Sequence, residues 1–249
     1  YQAFLAEAST ILSSSLDYQV TLDSLARLCV PFMGDWCSID ILDEGELVRV
    51  TVAHPDPARE DLARQLQRKY PPQDNRTADT ERVLRGESVL YSEIPDELIA
   101  ASVRDPDLLD IVRQIGLTSA IVVPLTARGR TGGILTLLSA ESGRHYGLQD
   151  LRLAEDLGRR AGLAVDNAHL YSESQRILEE LRLANEAKDE FLGLISHELR
   201  TPITTIFGGA RVLRTRGDRI DPETRAGVLE DIEHESERLH RIVEDLLVL

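Results

Sequence analysis

From Leu148 to Leu249 the sequence carries no strand signal, and its apolar residues recur at helical spacing throughout. Steps of four and three from Leu163 fall on Asn167, Leu170, Ser174, Ile177, Leu181, Ala184, Lys188, Phe191 and Ile195. That is an apolar seam with polar breaks at Asn167, Ser174 and Lys188. A heptad seam on one long helix predicts a parallel coiled coil, in which polar seam positions fix register at some cost in stability. A single helix packed back on its own domain is the alternative. The helix is expected to reach about Thr215 and to end in a loop at Arg216-Gly217-Asp218-Arg219. Asp221 then caps a second helix, with Pro222 in its first position and Glu223 behind it. The heptad steps return at Val228, Ile232, Glu235, Leu239, Ile242, Leu246 and Leu249. Two such helices in a hairpin cannot bury both stripes alone, so dimerisation into a four-helix bundle is expected.

The preceding residues read differently. Phe4 to Met33 has the spacing of two helices, broken at Ser13 to Ser15. Trp36 to Leu42 and Leu47 to Ala53 form strands around the turn Asp43-Glu44-Gly45. Pro55 to Tyr70 is helical, Pro71 to Asn75 is a loop, and Thr80 to Arg85 is a short helix ended by Gly86. Val89 to Tyr91 is a strand and Pro106 to Ile115 a helix. Ala120 to Thr126 and Ile134 to Ser139 form a second hairpin, central in a sheet, around the turn Arg128 to Gly133. Helices interleaved with an antiparallel sheet give an α+β domain over residues 1–165, followed by a linker helix over 166–190 and the hairpin over 191–249.

With 28 basic against 43 acidic residues, a net charge of −15 and no basic stripe, nucleic acid and anionic membrane are excluded as partners. No apolar run approaches the roughly 20 residues of a membrane span. Two cysteines, Cys29 and Cys37, are too few for a disulfide framework, and no signal peptide opens the sequence, so a cytoplasmic location is expected. Tyr at position 1, with Met33 the only methionine, points to a piece of a longer chain.

At about 100° per residue, Phe191, Ile195, Leu199, Ile203, Ile206, Ala210 and Leu213 gather on one side of the helix, and His197 lies nearly opposite their centre. Such a histidine stays accessible to a bulky reactant. Thr201 shares its face one turn later. Glu198 adjoins it, and a carboxylate near an imidazole holds one ring nitrogen as N–H and leaves the other as the nucleophile, as attack on a phosphoryl group requires. Pro202 removes a backbone hydrogen bond inside the helix and is expected to bend or loosen it. The bland alternative is a surface histidine beside a tolerated proline.

The string Phe191-Leu192-Gly193-Leu194-Ile195-Ser196-His197-Glu198-Leu199-Arg200-Thr201-Pro202 resembles the H box of bacterial sensor histidine kinases, and Asp231 to Leu247 resembles the second helix of their dimerisation and phosphoacceptor domain. The resemblance implies a two-component signalling phosphoprotein in which His197 accepts the γ-phosphoryl of ATP and passes it to a response regulator receiver domain. It also implies that Glu198 is the general base or orienter and that Thr201 places a water during dephosphorylation. Residues 4–171 resemble a GAF sensor domain, through Val52-Ala53-His54 with Asp56-Pro57, Ala120 to Leu125, Gly132 to Ser139 with Glu141-Ser142-Gly143, and Ala164 to Leu170. The GAF ligand stays unknown. The resemblance further implies a homodimer, and an ATP-binding domain, with its Mg2+, outside these 249 residues. The fragment alone is therefore expected not to phosphorylate itself.

Two other readings stay open: a GAF module that only dimerises and docks partners, and a phosphotransfer protein charged by a regulator instead of ATP. Among weaker candidates, Cys29 and Cys37 could carry a bilin or metal but read as small buried apolar residues. His54 could ligate haem or be structural. His145, His169, His234 and His240 lack ligand partners at metal-binding spacing, so no metal site is expected. The acidic run Glu230 to Glu237 reads as a solvated helix face.

Overall fold

The structure is a computed structural model that describes residues 2–71, 76–103, 105–216 and 219–247. Most of the expected loop at Pro71 to Asn75, residues Gly217 and Asp218 of the second loop, and the last heptad position, Leu249, lie outside the described residues. The chain divides into two compact units, Tyr1–Ser174 and Gln175–Leu249.

The first unit opens with α1 (Gln2–Ser13) and α2 (Tyr18–Phe32), the latter capped by Asp17, whose carboxylate accepts from the Gln19 and Val20 amides. Strands β1 (Trp36–Asp43) and β2 (Glu46–Ala53) follow, then α3 (Pro57–Lys69), α4 (Ala78–Leu84), β3 (Val89–Tyr91), α5 (Asp96–Ser102) and α6 (Pro106–Ile115). Strands β4 (Ser119–Ala127) and β5 (Arg130–Ser139) complete an antiparallel sheet of order β2-β1-β5-β4-β3, with β5 at its centre as expected. Both hairpins turn on two left-handed residues, Glu44 and Gly45 in one and Arg128 and Gly129 in the other. The six-residue turn expected at Arg128 to Gly133 is therefore too long. Its two later glycines are strand residues, and a Cβ at Gly133 would stand 2.3 Å from the Asp40 carbonyl oxygen on β1. Helix α5, which the apolar pattern does not announce, begins without a side-chain cap after Pro95.

Strand alternation divides the sheet's two faces. Cys37, Ile39, Ile121, Val123, Leu135 and Leu137 face α1, α2 and the first turns of α7 (Leu148–Arg216), forming the closed core with Leu25, Leu153, Leu157 and Ala161. Helix α7 lies very close to β4 here: a Cβ on Gly158 would be 2.6 Å from the Pro124 carbonyl oxygen, and one on Gly162 2.6 Å from Thr126 backbone. Trp36, Ser38, Asp40, Val122, Thr136 and Leu138 face the other way, toward α3, α4 and α6, and leave a cavity of about 380 Å³.

The fold-back alternative thus describes α7 as far as Ala168, which is buried. The heptad seam points elsewhere: Leu163, Leu170, Ile177 and Leu181 are all exposed, as is every residue from Tyr171 to Glu190. The second unit pairs the end of α7 with α8 (Pro222–Leu247), which starts as expected, the Asp221 carboxylate accepting from the Thr224 amide at 2.9 Å.

Candidate functional site: an exposed histidine and a sheet cavity

Where α7 meets α8, the half-buried or buried positions Ile195, Leu199, Pro202, Ile206, Gly209 and Leu213 follow steps of four and three, with Gly208 half-buried beside them. Val228, Ile232, Leu239, Ile242 and Leu246 face them from α8. This corrects the expected stripe, since Phe191, Ile203 and Ala210 are exposed. The apolar count passed over Pro202 and Gly209 because neither carries a large side chain, yet both are covered at the seam. A Cβ on Gly209 would lie 2.9 Å from Ile232. Pro202 is buried, and α7 runs through it as unbroken helix. The proline leaves the Glu198 carbonyl without its i+4 donor. Nearby hydroxyls bond back onto the helix, Thr204 to the Arg200 carbonyl at 2.7 Å and Thr205 to that of Thr201 at 3.3 Å.

His197 sits on the side away from this seam and is exposed. Its ring makes no hydrogen bond or ion pair among the described residues. The Thr201 hydroxyl donates to the His197 carbonyl at 3.4 Å, so both residues share one face. Glu198 points to α8 instead of the imidazole: its carboxylate accepts from the Arg238 guanidinium at 2.8 Å, and Glu235 lies 3.7 Å from the same group. Arg238 carried no sequence signal, since it lies beside a heptad position and not on one.

The sheet cavity is the second candidate. Across β1 and β2, Arg49 donates to the buried Asp40 carboxylate through Nε at 2.7 Å and Nη2 at 3.0 Å. Ser38 and Thr136 are cross-strand partners beside this pair. Asp79 on α4 accepts from the Tyr91 hydroxyl, and burial together with that bond pushes the Tyr91 phenol up to about 12. Neither cysteine lines the cavity. Both are in the closed core, where the contact with Cys29 and burial hold the Cys37 thiol well above its usual range, against a reactive thiolate. His54 is likewise outside the lining. Its Nδ1 accepts from the Asp56 amide at 2.9 Å and its ring packs on Trp36 at 4.2 Å, a structural placement. Among the described residues no cluster of acidic, histidine or cysteine side chains is arranged to hold a metal ion, and no helix is long and apolar enough to cross a membrane.

Residues 17–165 match the GAF domain family, and residues 187–249 match the His Kinase A (phospho-acceptor) domain family. The GAF match spans more than half of the chain, and the chain belongs to that family; the second match places His197 in a phosphoacceptor domain. Among curated relatives, the chain is 25% identical over 191 residues to the circadian input-output histidine kinase CikA of Synechococcus elongatus, covering 70% of this chain and 25% of that protein. It is 41% identical over 75 residues to drug sensory protein A of Synechocystis sp., covering 30% of this chain and 11% of that one. The chain thus spans a quarter or less of the length of these relatives. The GAF domain of a phosphoenolpyruvate-protein phosphotransferase from Coxiella burnetii superposes with a TM-score of 0.54 at 16% identity, covering 69% of this chain and 96% of that one, which shows the fold. Sensor domain followed by phosphoacceptor domain is the order of a two-component histidine kinase's signalling segment.

Proposed function

We propose that His197 is the phosphoacceptor of a two-component sensor histidine kinase and that the GAF cavity receives a small-molecule signal. The observation that carries the first part is the exposed His197 ring, turned away from the α7–α8 seam within the phosphoacceptor match. A ring nitrogen attacks the γ-phosphorus of ATP, the bond to the ADP oxygen breaks, and ADP leaves; the phosphoryl group then passes to an aspartate of a receiver domain. In this reading ATP and its Mg2+ are held by a separate ATP-binding domain; the Gly-containing turn at Arg128-Gly129 joins two strands and does not lead into a helix, as a phosphate-cradling loop would.

Glu198 is the general base or orienter, and Thr201 positions water in the reverse, hydrolytic step. For Glu198 to reach the imidazole, its bond to Arg238 must open. The outward apolar residues Leu192, Ile203 and Phe207 on α7 and Leu229, Val243 and Leu247 on α8 are covered by a second copy, giving a four-helix homodimer. Signal reaches His197 through the exposed heptad segment of α7, with Pro202 as the point where packing changes become access to the histidine. The reading places the chain in the cytoplasm, where ATP and receivers are.

The test incubates the chain with a separately supplied histidine kinase ATP-binding domain and labelled ATP, beside His197→Ala. Acid-labile label lost in the variant is the expected result. An unlabelled parent that instead takes label from a phosphorylated receiver would favour the phosphotransfer reading, and no label from either donor the docking-module reading.

A further inference from the structure

We infer that the sheet cavity takes an uncharged, largely apolar molecule of aryl size, whose one or two hydrogen-bonding groups seat on a polar strip of β1, β2 and β5, and that it discriminates against anions. This deepens the proposal above that the GAF cavity receives a small molecule, and rests on it.

The cavity's volume, about 380 Å³, lies in the range of pockets that enclose small organic ligands. Trp36, Leu47, Leu66, Val112, Ile134 and Leu138 give it apolar walls and floor. The charged groups in the lining are two carboxylates, Asp40 and Asp79, against one guanidinium, Arg49. That guanidinium is already spent. Its fork is bidentate on Asp40, so the pair presents itself to a ligand as a neutral, fixed dipole. An anion entering here loses its water, meets no unpaired cation among the described lining residues, and approaches Asp79. A cation gains little either, because Asp79 is held by the Tyr91 hydroxyl and by Arg82 at 3.3 Å.

What the lining does offer is hydrogen bonding. Ser38 and Thr136 stand side by side across β1 and β5, and neither hydroxyl has a partner among the described residues. Each can donate and accept, and hydroxyls in so enclosed a place are ordinarily bonded. A neutral ligand with an amide, hydroxyl, carbonyl or amine edge supplies those partners while its apolar body covers Trp36 and Leu138. The cysteines and histidines lie outside the lining, so the ligand is held without a thioether or a metal–imidazole bond.

N-phenyl-1-naphthylamine and 8-anilinonaphthalene-1-sulfonate share one aryl amine skeleton and differ by a sulfonate, which makes them a matched pair of fluorescent probes. Titrated into the full chain, the neutral probe is expected to bind saturably and at least tenfold more tightly than the sulfonate. Filling the cavity from α3, by Ala63→Trp or, should that variant not fold, Gln67→Trp, is expected to abolish the neutral probe's saturable signal. Thr136→Val, which keeps the side chain's shape, is expected to weaken it three- to tenfold. Equal or tighter binding of the sulfonate would overturn the uncharged class while leaving the cavity as a ligand site. Probe binding indifferent to both cavity-filling variants, or no binding at all, would overturn the cavity as a site. Neither result bears on His197.

Discussion

Within Tyr1–Ser174 the chain fully buries Leu22, Leu25, Ile39, Ile121, Leu135 and Leu137 against its own residues. Within Gln175–Leu249, Pro202 is the one buried side chain among the described residues, while Ile203, Phe207, Leu229 and Leu247 face outward. The difference is one of layers. A sheet with helices on both faces covers most of its apolar strand residues, with Leu42 and Val48 left out, whereas two helices in a hairpin share one seam and leave a second stripe on each. The first unit encloses a cavity, and the hairpin leaves an apolar stripe of each helix exposed.

The largest effect that sharpens this contrast comes from glycines. Gly158→Val drives a side chain into the β4 backbone and is expected to destabilise the first unit by about 3 kcal/mol. Gly193→Ala meets nothing within 4 Å and is expected to stabilise α7 by up to about 1 kcal/mol. Urea unfolding of each variant reads both. Next, Ile203→Asp with Phe207→Asp replaces residues 51% and 69% exposed in the single chain. If the hairpin stood alone, such surface changes would shift stability by only about 0.5 kcal/mol. The expectation is instead a halving of the sedimentation mass. A mass unchanged by the pair would break the contrast.

A smaller effect separates the first unit by pH. Burial alone would raise the Asp35 carboxyl, but the Ala140 and Ser142 amides and the Ser142 hydroxyl outweigh it and hold the group below 3.8. The folded state thus favours the carboxylate, so its contribution is complete above the unfolded value and fades as pH falls through the lower folded value. Asp35→Ala is expected to cost about 2 kcal/mol at neutral pH and to flatten the acid limb of the stability curve below about pH 4, as followed by thermal melts. Least in stability comes Pro202→Ala, where restored helix hydrogen bonding opposes lost packing on α8. The expected change is in the ratio of kinase to phosphatase activity, measured with the supplied ATP-binding domain, and an unchanged ratio removes Pro202 from the signalling path.

The contrast also explains what the sequence made legible. Alternating and heptad patterns announce elements that bury large apolar side chains, so the sheet, its hairpins, the long helix and the Asp221 cap were readable. Helix α5, which lacks a side-chain cap, was not, and the hairpin seam was misread where Pro202 and Gly209 make contact by being small. His197 was legible because the pattern leaves it off the stripe. Arg238 and the Asp40–Arg49 pair were not, because each joins residues through a register or packing that no local pattern encodes.

The central claim concerns one ring nitrogen. Peptide mapping by mass spectrometry under alkaline conditions, after labelling with ATP and the supplied ATP-binding domain, locates the phosphoryl group directly. A single phosphohistidine at His197, slowed by Glu198→Gln and absent from His197→Ala, is the expected result. Label on His169, His234 or His240, or acid-stable label on a serine or threonine, would contradict it.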